Sequence, residues 1–185
     1  MRLIPPSAAI AVLGLMACGD PNQLPPANLP NVVDTFTVFA LTGTEVWQPS
    51  GYAATEFRVV RLDQSNTADL AFDIQNGQPV MLPAKLIGQP GSGSVDPGLL
   101  ATPLAFDAIT YAENEGYNSV DTTHATIGQR YYLRARLTPQ CFLGVPTYAK
   151  MEVLEIDALV RSMTFRVLVN ANCGYKSLEP GLPTR

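Results

Sequence analysis

Hydrophobic and polar residues alternate along much of the chain, most clearly in its C-terminal third. In residues 129–137, 148–156 and 162–170, nearly every second side chain is apolar. The positions between them carry most of the local charge: Arg130, Arg134, Arg136, Lys150, Glu152 and Arg166. A period of two predicts half-buried β-strands. We expect three neighbouring antiparallel strands, with the apolar face in the core and the cation-rich face in water.

Similar patterns earlier in the chain predict further strands. The candidates are residues 33–41, 55–62, 68–74 and 79–86, with residues 104–111 as a less regular addition. Asn76-Gly77 lies between two of them and favours a tight hairpin, because both residues tolerate a positive φ. Residues 88–98 and 112–121 are rich in turn-forming or polar residues and predict loops.

No helical period persists for twelve residues beyond the N-terminal region. The fold class expected is therefore all-β. The strand pattern predicts an antiparallel β-sandwich of about seven to nine strands, immunoglobulin-like or jelly-roll-like. A small closed β-barrel is the alternative. A true immunoglobulin domain is not supported, because Trp47 precedes both cysteines of the C-terminal half.

The N-terminus has the pattern of a secretory signal peptide. Arg2 is followed by an apolar run at residues 7–17. Its eleven residues fit the hydrophobic region of a signal peptide but fall short of the roughly 20 needed to cross a bilayer. The sequence therefore predicts export.

The end of this segment, Leu15-Met16-Ala17-Cys18, resembles the lipobox of bacterial lipoproteins, and the resemblance covers about the first 20 residues. It implies that residues 1–17 are removed and that Cys18 carries lipid, including palmitate-type acyl chains. Several acyl chains give stable membrane attachment, whereas one is marginal. Gly19 stands where an aspartate would favour the inner membrane, so the resemblance implies the outer membrane, at its periplasmic face or on the cell surface.

The chain after Cys18 divides by composition. Residues 18–31 contain four prolines and predict a semi-rigid tether, because proline lacks an amide donor and fixes φ. Residues 32–178 form the predicted β-domain, and residues 179–185 a C-terminal tail. Within that domain Cys141 and Cys173 form an even pair in an exported chain, which predicts a disulfide bond.

Charge and composition exclude several function classes. The 12 Lys and Arg residues against 16 Asp and Glu leave a net charge of −4, unlike a nucleic-acid-binding surface. His124 is the single histidine, and no nucleophile motif accompanies it, so neither a catalytic site nor a cofactor or metal site is expected. The carboxylates of residues 107–121 leave a calcium site open, although no calcium-loop spacing is present.

Aromatic residues in predicted loops are the best indication of binding. The candidates are Trp47 and Tyr52, in a loop joining two strands, and Tyr111 and Tyr117, which flank the acidic stretch. Such rings stack on sugars or dominate protein interfaces. The leading hypothesis is a non-enzymatic, membrane-anchored envelope lipoprotein with a structural or binding role, whose partner is an envelope protein or a glycan. A lipocalin-like small-ligand carrier is the alternative, and a hydrolase using His124 comes third.

Overall fold

Two antiparallel five-stranded sheets pack face to face in the computed structural model, which describes residues 24–89, 95–137, 141 and 143–184. The strands are β1 Val33–Phe39, β2 Gly51–Ala53, β3 Arg58–Val60, β4 Leu70–Gln75, β5 Gln78–Pro83, β6 Gly98–Thr102, β7 Thr123–His124, β8 Arg130–Leu137, β9 Pro146–Asp157 and β10 Ser162–Asn170. Three short 3₁₀ helices are present, at Ala54–Glu56, Ala84–Ile87 and Phe106–Ala108.

The strand order is β1-β10-β9-β8-β6 in the first sheet and β3-β2-β4-β5-β7 in the second. The two sheets stay separate, so the antiparallel β-sandwich is confirmed and the closed barrel is wrong. The described part of the chain contains ten strands, slightly more than the seven to nine expected.

The main core fills the space between the sheets. Side chains from both inner faces meet there, including an aromatic group in which the Tyr52 ring lies 5.2 Å from the rings of Phe36 and Phe165. Such tilted and edge-on ring contacts add to the free energy gained by burying apolar area.

The alternation of apolar and polar residues predicted the positions of most strands correctly. β10 coincides with the predicted 162–170, and the β4–β5 hairpin turns at Asn76 (φ 51°) and Gly77 (φ 77°), as expected. Residues 104–111, by contrast, are not a strand, because they hold a 3₁₀ helix at Phe106–Ala108. β6 instead begins at Gly98, the last residue of the predicted loop 88–98, within which residues 90–94 lie outside the described residues.

The outer face of β8, β9 and β10 is not open to water, which corrects the sequence-based expectation. Lys150 is 1% exposed there, and Leu168 is 0% exposed. A second apolar layer covers this face, built from the segment around Phe106 and Ile109 and from Leu178 near the C-terminus. The predicted wet face is therefore a second, smaller core, and only some of its charges, such as the paired Glu152 and Arg166, reach solvent.

The N-terminal segment and the disulfide meet at one end of the sandwich. Cys141 and Cys173 are bonded at 2.04 Å, as predicted. Beside them, the Asn172 side-chain oxygen accepts hydrogen bonds from the backbone amides of Asn28 (3.0 Å) and Leu29 (3.1 Å).

The same region includes parts of the predicted tether and tail. The Tyr175 hydroxyl donates to the Pro25 carbonyl, and Asn31 exchanges backbone hydrogen bonds with Gly181. Residues 25–31 are therefore bound to the β-domain and not free spacer. Residues 1–17 and Cys18, the predicted signal peptide and lipid site, lie outside the described residues.

Candidate binding groove

Trp47 is presented by a loop between β1 and β2 that the rest of the fold holds in place. The backbone amide and the hydroxyl of Thr42 both donate to a carboxylate oxygen of the buried Asp73, at 3.1 and 2.8 Å. Arg161 donates to the Thr42 carbonyl at 2.9 Å and lies so close to Gly43 that a Cβ there would meet its Nε at 2.9 Å. The start of the loop is thus held by side chains from β4 and from the turn between β9 and β10, while Trp47 itself remains 62% exposed.

The indole lines a groove whose wall includes β3. The groove has a volume of about 560 Å³ and is lined by Trp47 and Pro49, by Glu56, by residues 58–61 and by residues 64–67. We call it the Trp47 groove. Its open shape and mixed lining resemble a surface site for an extended ligand more than an enclosed pocket for a small apolar one.

The part of the groove formed by residues 64–67 is positioned by Arg136 of the first sheet. Its guanidinium donates to the carbonyls of Asn66 (2.9 Å) and Ala68, and to a carboxylate oxygen of Asp69 (3.1 Å). Asp69 is 0% exposed, and burial raises the pKa of its carboxyl, while the guanidinium and two backbone amides oppose this. This buried pair joins the two sheets and fixes the backbone of residues 66–69.

Sequence reasoning missed the role of Arg136, which it placed on a solvated face. The pairing of β8 with β9 shifts register between Arg134 and Leu137. A bulge of this kind redirects the side chains that follow it, and Arg136 consequently reaches the second sheet. The alternation of apolar and polar residues does not reveal such a shift of strand register.

The charges of the Trp47 groove are held in neutral pairs. Arg58 forms a salt bridge with Glu56, and Arg61 donates two hydrogen bonds, of 3.1 and 2.6 Å, to the Asp63 carboxylate. A hydrogen bond from the Thr67 hydroxyl lowers the pKa of the Glu56 carboxyl, and Arg58 adds to this effect. The Arg61 hydrogen bonds likewise lower the pKa of Asp63. Both carboxylates are ionised at neutral pH, and each is balanced by its own arginine.

The other aromatic candidates do not join Trp47. Tyr52 is 0% exposed on β2, so its ring belongs to the core and not to a loop. Tyr111 is 52% exposed and pairs with Ser177 at the second, smaller core. Tyr117 is partly buried, its hydroxyl donating to the Glu113 carbonyl and its ring lying 4.9 Å from the Arg134 guanidinium carbon. The structure therefore leaves Trp47 as the aromatic that is both exposed and set in a groove.

The remaining chemical candidates are scattered. Among the described residues no three His, Cys, Asp or Glu side chains lie close enough to hold a metal ion. His124 is exposed on β7, and its imidazole has no hydrogen-bond partner in the described part of the chain. Among the described residues, the exposed side chain of Trp47 in its groove remains the feature on which a binding site can be built.

Comparison with known proteins finds no matching family model, no similar curated protein and no similar solved structure. None of the helices in the residues described could span a membrane.

Proposed function

We propose that this protein is an exported envelope lipoprotein, anchored through Cys18, whose β-sandwich binds a ligand or partner without catalysing a reaction. The observation that carries the binding role is Trp47, a large aromatic side chain left 62% exposed by a loop that is otherwise firmly held. Exposed aromatic rings in preformed concave sites are typical of binding surfaces. The anchor is supported by the residues around Cys18.

The lipocalin-like carrier loses its structural basis. A carrier of that kind holds its ligand inside a closed barrel, whereas here the two sheets remain separate. Large side chains also fill the space between them. The separate sheets and the filled core therefore support a ligand site on the surface.

The anchor is tested by Cys18→Ala in the full-length protein expressed in a Gram-negative host. We expect the wild type in the detergent-soluble membrane fraction and the variant in the soluble fraction, or retained as an unprocessed precursor. Mass spectrometry of the wild-type N-terminal peptide should show an acylated Cys18.

Replacement of a cysteine could also act through the fold, so Cys173→Ala serves as the matched control. It removes a cysteine of the folded domain and should leave the protein in membranes. An unacylated Cys18 contradicts the anchor. So does a Cys18→Ala protein that has lost residues 1–17 and still stays membrane-bound after high-salt washing.

A further inference from the structure

We infer that the Trp47 groove binds an uncharged oligosaccharide. The inference specifies the ligand of the binding function proposed above, and it is independent of the anchor at Cys18. It follows from the aromatic face, the charge balance, the free polar groups and the size of the groove.

The aromatic face suits a sugar ring. Pyranose rings present a flat face of C–H groups, which packs on the electron-rich face of an indole. Trp47 lines the groove together with Pro49 and with polar residues, so it can supply that face. A purely apolar ligand would leave those polar residues dehydrated and unpaired, which carries a free-energy cost.

The charge balance argues for a ligand without net charge. Glu56 is paired with Arg58 and Arg61 with Asp63, so no charged side chain lining the groove lacks a counter-ion. An anionic or cationic ligand would meet a like charge directly beside the opposite charge that it contacts, so these pairs give a ligand's net charge little stabilisation. Hydroxyl groups, in contrast, can bond the outer edges of carboxylates and guanidinium groups while the pairs stay intact.

Two amide side chains provide the remaining contacts. Gln64 and Asn66 are exposed in the groove wall, and their amide groups have no hydrogen-bond partner among the described residues. Each amide offers donors and an acceptor side by side, which matches a pair of adjacent sugar hydroxyls. The Asn66 backbone is fixed by Arg136, so this side chain projects from a rigid base.

The size of the groove fits a short saccharide chain. Its volume of about 560 Å³ lies within the range of small-ligand sites. Because the groove is a surface site and not an enclosed cavity, a longer chain can extend beyond it. The site is thus suited to a stretch of a glycan polymer.

The sequence provides its own reporter, because Trp47 is the only tryptophan in the chain. We would titrate the full-length protein in detergent with chitotriose, cellotriose and maltotriose, and follow tryptophan emission and its quenching by iodide. We expect at least one of these neutral sugars to shift the emission saturably and to protect Trp47 from iodide. Trigalacturonate, an anionic sugar, should bind at least tenfold more weakly than that sugar.

Variants assign the binding to the groove, with affinity measured by calorimetry because Trp47→Ala removes the fluorophore. Trp47→Ala should lower affinity at least tenfold, and Trp47→Phe, which keeps a ring, should lower it less. Asn66→Ala should weaken binding several-fold without unfolding the protein, since Arg136 bonds the backbone of Asn66. The matched control is Tyr111→Ala, which removes another exposed aromatic ring, outside the groove, and should leave affinity unchanged.

Three results would overturn the inference. If none of the three neutral sugars binds saturably up to about 10 mM, the sugar is ruled out as the ligand. Equal or tighter binding of trigalacturonate contradicts the charge argument. Saturable binding of an extended peptide but of no sugar shows that the binding function stands while the ligand class is wrong.

Discussion

At the scale of single residues, Lys150 shows how a buried charged side chain can stabilise the second, smaller core. Its ammonium group donates to the carbonyls of Phe106 and Ile109, both at 2.9 Å, and lies 4.6 Å from the centre of the Phe106 ring. Burial lowers the pKa of Lys150. The side chain fastens the segment around the Phe106–Ala108 helix onto the sheet.

Replacing this lysine tests that role. Lys150→Met keeps the aliphatic stem but leaves the Ile109 carbonyl without its donor, while the Phe106 carbonyl keeps only the Ile109 amide at 3.3 Å. We therefore expect a loss of about 2 kcal/mol in the free energy of unfolding. Urea denaturation followed by circular dichroism measures it. Lys85→Met, at a side chain that is 58% exposed, should change the value by less than about 0.5 kcal/mol. Equal stability of the Lys150 variant and the wild type would show that the covering layer does not depend on this side chain.

At the scale of elements, the β4–β5 hairpin is set by its turn residues. Gly77 has a φ of 77°, and a Cβ added there would meet nothing within 4 Å. Only backbone conformation therefore demands glycine at this position.

Two substitutions of Gly77 separate backbone strain from packing. Gly77→Ala should reduce the free energy of unfolding by about 1 kcal/mol, because the left-handed conformation disfavours a Cβ. Gly77→Asn should cost less, since asparagine tolerates that conformation. Thermal denaturation of the two variants gives the comparison. An alanine variant at least as stable as the asparagine variant would indicate a turn of another type.

The elements also show how far sequence reasoning reaches. Strands such as β10 follow from alternation, and the turn at Asn76-Gly77 from local conformational preference; both depend on neighbours in sequence. The apolar layer over Lys150 includes a segment more than 40 residues away in the sequence. The alternation of residues within a strand does not show whether its outer face contacts water or such a layer. Alternating polar and apolar residues predict a strand, but they do not predict which segments pack on the polar face of the sheet.

The candidate groove was predictable only in part. Trp47 was identified as an aromatic residue in a loop, which the structure confirms. Gln64 and Asn66 lie in an irregular segment without periodic signal, and Arg136 reaches that segment through a change of strand register. Tyr52 was assigned to the same loop as Trp47, but β2 begins one residue before it and directs its ring into the core.

At the scale of the whole molecule, buried tyrosines couple stability to alkaline pH. Burial raises the pKa of Tyr131 to about 12, and it raises the pKa values of Tyr52, Tyr117, Tyr132 and Tyr148 above the ordinary 10.0. A raised pKa stabilises the fold below the unfolded value and loses that contribution as pH rises past it. The lowered pKa of Lys150 has the opposite effect on the pH dependence of stability, but it is a single group and the tyrosines with raised pKa values number five.

We therefore expect the free energy of unfolding to fall steadily above about pH 10, where the phenols of the unfolded chain ionise. Urea denaturation at several pH values between 8 and 11.5 measures the slope, and absorbance at 295 nm follows phenolate formation. Tyr131→Phe should make the decline shallower by up to about 1.4 kcal/mol per pH unit. A stability that stays constant to pH 11.5 would contradict the buried state of these rings.

The attachment of residues 25–31 to the β-domain has a mechanical consequence. A pull on the N-terminus reaches the Asn172 side chain, which holds Asn28 and Leu29, before it reaches β1. Asn172 precedes Cys173, so the load passes into a loop that is covalently closed to Cys141. A force on the N-terminus is thereby transmitted first to the disulfide-bonded end of the sandwich. The edge strand β1 is consequently less exposed to a force that would separate it from β10.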